Sequence, residues 1–260
     1  MSLAKIETYV VGRSPLHTWM PQLKLLSLGL LMFAFAAIRE LPLVLPMFGV
    51  TASIYALSGL PVSFLLQRLR YPGLFIFMLV LILPLTSGDT VLWQWGPVAL
   101  RQEGIMAISL VVSRFLCILT LGFVLLGTTP FVTLLRSLRS LGLPVLLADM
   151  TLLTYRYLFE TADMLSTMQR SMRLRGFGHT RRRWFSLRKT DLQRLASLLG
   201  TLLIRSYERA ERIYTAMRLR GYGQLRQPPA QPRADSGSLL LTTIAIIIAI
   251  AFFTTAFITQ

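Results

Sequence analysis

Two arginines stand directly before glycines in a string that the 260-residue chain contains twice, MRLRGFG at 172–178 and MRLRGYG at 217–223. The copies begin 45 residues apart and differ only by Phe177 against Tyr222. A guanidinium presented at a helix tip can grip a carboxylate or backbone carbonyls through a bidentate contact, which is recognition chemistry rather than bond-breaking. Each string closes a stretch of helical periodicity. Gly176 and Gly221 stand where a helix C-cap requires the left-handed conformation, and the preceding arginine complements the negative end of the helix dipole. Capping accounts for one copy taken alone. It asks for a glycine and tolerates many preceding residues, so it leaves the identity of the second copy at six of seven positions unexplained.

Catalytic signatures are missing from the rest of the chain. There is no GxxxxGK[ST] phosphate loop, no HExxH and no GxSxG, and no pair of carboxylates falls inside an apolar run. The single cysteine, Cys117, excludes a disulfide framework within the chain. His17 and His179 are far apart and no CxxC occurs, so a metal site of ordinary ligand spacing is not expected. These absences predict a chain that neither hydrolyses ATP nor holds a catalytic metal. If it takes part in transport, the energy comes from a partner.

What must position the two arginines is largely apolar. Hydrophobic residues make up 54% of the chain and the mean hydropathy is +0.60, yet the net charge is +16. The two properties separate along the sequence. Residues 130–236 hold 19 of the 27 Lys and Arg and 7 of the 11 acids, a net of +12, and apolar runs lie on both sides. This layout predicts an all-α integral membrane protein of about five spans with one large basic segment outside the bilayer. The domain reading is 1–128 for the N-terminal membrane helices, 129–236 for the basic module and 237–260 for a final membrane helix. The polar first 22 residues predict no cleavable signal peptide.

Taken in order, the expected spans are 25–38, with Lys24 and Arg39 snorkelling from its ends; 41–66, punctuated by Pro42, Pro46 and Pro61; 74–85, extending towards Trp93 and Trp95 as an interfacial belt; 104–127; and 239–259. Gln67-Arg-Leu-Arg70 reads as a short basic connection. The loop near 89–103 carries two acids and one arginine, so the positive-inside rule puts residues 67–70 and 130–236 on the cytoplasmic face of the cell membrane.

Inside the basic block, residues 131–143 form a short amphipathic helix ended by Gly142 and Pro144. A longer helix follows over 149–175, and another over 191–220 with apolar residues at 192, 195, 199, 202, 213 and 217, packing on its neighbour. Proline-rich 224–237 is a linker. Arg114 falls near the middle of the fourth span, where it either meets a partner subunit or substrate path, or reaches backbone carbonyls as a structural charge. The cluster Arg181, Arg182, Arg183, Arg188 and Lys189 fits the anionic surface of the lipid bilayer better than nucleic acid, since no nucleic-acid module accompanies it.

These residues together resemble the transmembrane component of energy-coupling factor transporters, the EcfT/CbiQ family. Its two coupling helices end in Ala-Arg-Gly-type motifs, matched here by Leu174-Arg175-Gly176 and Leu219-Arg220-Gly221 with leucine for alanine. Ser14, Pro15, Leu16 and His17 with Pro21 and Lys24 resemble the N-terminal signature of the cobalt/nickel branch, with Met20 where that pattern has aspartate. Thr128-Thr-Pro130 with Leu141-Gly-Leu-Pro144, and Thr154-Tyr-Arg-Tyr157, resemble the entry to the coupling helices and the start of the first.

The resemblance implies that Arg175, Gly176, Arg220 and Gly221, with flanking Leu174, Leu219, Phe177 and Tyr222, contact two ABC-type ATPase subunits that hold the ATP and Mg. It further implies a small membrane substrate-binding subunit that carries any metal ligands, and cobalt or nickel as cargo. No cofactor is expected on this chain itself. The alternatives are a transmembrane component serving a vitamin, a self-sufficient membrane channel or enzyme, and a membrane-tethered nucleic-acid binder.

Overall fold

The computed structural model describes residues 14–86, 91–95, 98–176, 189–222 and 236–258. In chain order the elements are α1 (Pro15–Thr18), α2 (Pro21–Ala37), a 3-10 turn (Leu41–Leu43), α3 (Val44–Ser58), α4 (Val62–Thr86), β1 (Val91–Trp95), β2 (Val98–Arg101), α5 (Gln102–Thr128), α6 (Phe131–Ser140), α7 (Val145–Leu174), α8 (Lys189–Leu219) and α9 (Ser236–Ile258). By length and composition, Leu41–Ser58, Met106–Thr128 and Ser236–Ile258 can cross a membrane, and Pro21–Ala37 is a shorter apolar helix. The fold is an all-α membrane architecture with one small ribbon added. Compact packing divides the chain at residue 144: α7 and α8 form one unit, and α1 to α6 with the ribbon and α9 form the other.

In the larger unit α2 is the central helix. Leu28, Leu31, Ala34, Phe35 and Ile38 recur at spacings of three and four and are all but fully buried, against Met47 of α3, Cys117 and Leu121 of α5, and Ala249 and Phe252 of α9. Phe35 and Phe252 meet edge to face at 5.3 Å between centroids. Lipid is as apolar as leucine, so burial alone does not drive such packing; close approach through small residues does. Ser27, Ala34, Ser238, Ala245, Ala249 and Ala256 supply it. Nearer the N-terminal end of α2 a second cluster gathers Leu16, Trp19, Leu60, Val124 and Ala245, and the Trp19 indole N–H donates to Thr242 Oγ1 at 2.9 Å.

Three expectations are corrected here. The apolar run 41–66 is not one helix: α3 ends at Gly59, whose φ of +66° is left-handed, and Pro61 cannot donate a helical hydrogen bond. The turn is held by Gly59 N–H to Ala56 O at 3.2 Å and by Leu60 N–H to Ser58 Oγ at 3.3 Å. Consequently Gln67-Arg-Leu-Arg70 lies inside α4 rather than in a connection, and Arg68 stacks over the Phe64 ring at 5.6 Å. Finally, Trp93 and Trp95 belong to β1, antiparallel to β2 with Trp95 opposite Val98 and Trp93 opposite Leu100. The Val-Leu-Trp composition favours extended backbone, and the Gly-Pro that follows Trp95 is a turn signal.

The boundary at 144 also differs from the sequence division at 128. Amphipathic α6 lays Leu135 and Ser137 into the larger unit beside α2, so it groups with the apolar helices rather than with α7 and α8.

Candidate docking site at the paired helix ends

Both repeats end their helices on a left-handed glycine whose N–H bonds back three residues. Gly221 has φ +75°, its N–H bonds to Arg218 O at 3.0 Å, and the Tyr222 N–H reaches back to Met217 O at 3.0 Å. This pair of bonds is the Schellman closure, which satisfies carbonyls that the helix end would otherwise orphan. Gly176 has φ +88° and bonds to Arg173 O at 3.0 Å, the equivalent first half of the motif. Phe177, Gly178 and Gly223 lie outside the described residues. At both glycines a Cβ would meet nothing within 4 Å, so conformation and not crowding demands glycine. Gly221→Ala is therefore expected to destabilise the last turn of α8 by about 1 kcal/mol while leaving Arg220 in place. Faster hydrogen exchange at the Gly221 and Tyr222 positions would show it.

The side chains just before each cap are exposed. Leu174 is 86% exposed and Leu219 85%, and Arg175 and Arg220 are exposed beside them. Each tip thus offers a guanidinium next to a bare leucine. Among the described residues nothing covers either leucine, and the combination suits a pocket with an apolar wall and an anionic or carbonyl floor.

Pairing across the two long helices sets where the tips stand. Arg209 of α8 forms an ion pair with Glu160 of α7 at 2.5 Å, and the Tyr222 hydroxyl donates to Asp149 Oδ2 at 3.0 Å. Higher numbers on one helix meet lower numbers on the other, so α7 and α8 are antiparallel. Arg175 stands at the end where α8 begins, in a groove it shares with Arg194. Arg220 stands at the opposite end. The 26 residues from Arg194 to Arg220 span about 40 Å at 1.5 Å per residue. One helix pair therefore carries two equivalent tips, far apart and outward-facing.

The sequence from residue 12 to 230 matches the family model of CbiQ, the cobalt transport protein. The cobalt transport protein CbiQ of Rhodobacter capsulatus is 36% identical over 180 residues, covering 65% of this chain and 70% of its own. Energy-coupling factor transporter transmembrane proteins EcfT are similar over nearly full length: that of Limosilactobacillus fermentum is 25% identical over 95% of each chain, and that of Ruminiclostridium cellulolyticum 28% over 93% of each. The chain belongs to the EcfT/CbiQ family.

Within this family member the structure also places residues whose roles were not legible from sequence. Lys24, expected to snorkel, is fully buried. Its ammonium donates to Leu16 O at 2.9 Å, to Thr129 Oγ1 at 3.0 Å and to Thr128 Oγ1. Three protons meet three acceptors, and the N-terminal signature is thereby tied to the α5–α6 junction. The two patterns are visible separately in sequence; their contact is not, because 104 residues separate the partners.

Arg114 donates from Nη2 to Ile38 O, the carbonyl that follows the last turn of α2. The bond satisfies a helix-end acceptor with a cation at the negative end of the helix dipole. Its Nε is buried and makes no hydrogen bond among the described residues.

On α8 the covered face runs through 195, 198, 202, 206, 209, 213 and 217 rather than through 192 and 199, and Leu192 and Leu199 are exposed. Of the basic cluster expected at the lipid surface, Arg181, Arg182, Arg183 and Arg188 lie outside the described residues.

Proposed function

We propose that this chain is the energy-coupling transmembrane subunit of an energy-coupling factor importer in the cell membrane, with α7 and α8 as the cytoplasmic coupling helices. Arg175 and Arg220 seat in two ABC-type ATPase subunits, which hold ATP and Mg. The chain itself is non-catalytic. When the ATPase pair closes and opens, the two tips are carried with it, and the membrane helices pass the motion to a separate small substrate-binding subunit. One observation carries the reading: two tips that each end on a left-handed glycine after an exposed Leu-Arg pair, at opposite ends of one antiparallel helix pair. Two equivalent plugs about 40 Å apart suit a paired receptor and have no use on a solitary channel or enzyme.

Cobalt is the proposed cargo, supported by the match to the cobalt transport family and to the Rhodobacter capsulatus relative. Its ligands belong to the substrate-binding subunit. Expression of this chain with its ATPases and binding subunit is expected to give ATP-dependent accumulation of labelled cobalt that disappears when this chain is omitted. Accumulation of a vitamin with no uptake of cobalt or nickel would reassign the cargo. Uptake by this chain alone in liposomes would overturn the coupling role.

A further inference from the structure

Between α7 and α8, at the end that carries Arg175, lies a groove of about 520 Å3. We propose that it binds a phosphate group. Arg194, Leu198, Thr201 and Arg205 recur at spacings of four, three and four, so one face of α8 lines it, and Met168, Ser171, Met172 and Arg175 present the matching face of α7. Arg175 and Arg194 come from opposite helices at one end, and Arg205 follows about 16 Å further along α8.

Among the described residues no carboxylate lines the groove. Glu160 is taken by Arg209, and Asp149 receives the Tyr222 hydroxyl at the other end of the helix pair. Arg175 and Arg194 share one end of the groove and an anion there offsets their like charge, while Arg205, about 16 Å further along, adds only a screened field. Two guanidiniums approaching from opposite walls favour a tetrahedral phosphate, whose oxygens accept on both sides, over a planar carboxylate that one guanidinium already saturates. The floor is apolar, with Leu198 only 8% exposed beside Met168 and Met172, and gives an organic stem a surface to lie on. Anionic phospholipid headgroups and free phosphate share this chemistry. Arg175 is shared with the proposed docking tip, whereas Arg194 and Arg205 belong to the groove alone.

The test uses the full chain purified in detergent, as wild type and as Arg194→Gln, which alters an exposed residue and is checked for helical content by circular dichroism. Thermal unfolding is followed while phosphatidylglycerol, phosphatidylcholine or inorganic phosphate is titrated in. The expected result is a saturable rise in the wild-type midpoint, with the half-saturating concentration raised about tenfold or more by Arg194→Gln, the effect of losing one charge-assisted hydrogen-bond pair. A rise with lipid alone identifies the headgroup as the source, and an equal rise with inorganic phosphate identifies the free anion. No rise with any of the three, or the same titration in both proteins, overturns the proposal.

Discussion

Reversing both tip charges, Arg175→Glu with Arg220→Glu, is expected to abolish co-purification with the ATPase subunits and to reduce coupled uptake to background. Each guanidinium is exposed at its helix end, so a docked partner would supply the acceptors. Truncating one member of a docked charge pair costs about 2–5 kcal/mol, and reversal adds repulsion. Each single change is then expected to weaken docking by at least 30-fold. The tips lie about 40 Å apart and share no neighbours, so the two losses should multiply rather than overlap. Arg170→Glu, exposed on α7 outside the repeat, is the control for a change of overall charge and should leave the complex intact. Undiminished complex and uptake in the double variant would remove the tips from the mechanism. Loss in the control as well would reduce their role to general electrostatics.

The second large effect is expected at Lys24→Met. Methionine preserves most of the stem volume and removes the ammonium, leaving the buried Leu16 carbonyl without this donor and both threonine hydroxyls without the proton they accept. A stranded buried carbonyl costs about 1–3 kcal/mol, and loss of hydrogen bonds from a charged group adds to it. Destabilisation of roughly 2–4 kcal/mol follows, measured as a lower unfolding midpoint in detergent. Lys24→Arg should not rescue it, since a planar fork does not fit three acceptors arranged around a tripod of protons.

A double-mutant cycle with Thr128→Val gives the sharper readout. The Thr128 hydroxyl also donates to Val124 O at 2.5 Å, so the pair forms a relay from the ammonium into the last turn of α5. A coupling energy near zero would mean that the loss at Lys24 runs through Leu16 O and Thr129 Oγ1 rather than through Thr128. A value of about 1 kcal/mol or more assigns the effect to the relay.

Gly59 and Gly221 show where sequence and structure part. Both are left-handed glycines after a helix. Gly221 announces itself, because the amphipathic period stops there and a linker follows. Gly59 stands inside an unbroken apolar run, and apolar content does not distinguish a helix from two helices and a turn. The split relocates Arg68 and Arg70 from a connection into α4.

The class of the protein, the long helices and the duplicated tip can all be read from the order of residues along the chain. These rest on local physics: hydrophobic content sets membrane residence, bonds between residues four apart make helices, and glycine alone enters the left-handed region without strain. The family resemblance was equally legible, because those local patterns recur in the same order. The antiparallel run of α7 and α8, which puts Arg175 and Arg220 at opposite ends, emerges from long-range packing. Such packing alone seated Lys24 among Leu16, Thr128 and Thr129, and brought Arg114 to the end of α2. An ion pair or a buried ammonium is satisfied by whatever acceptor the fold carries to it, and nothing in its neighbours along the chain names a partner tens of residues away.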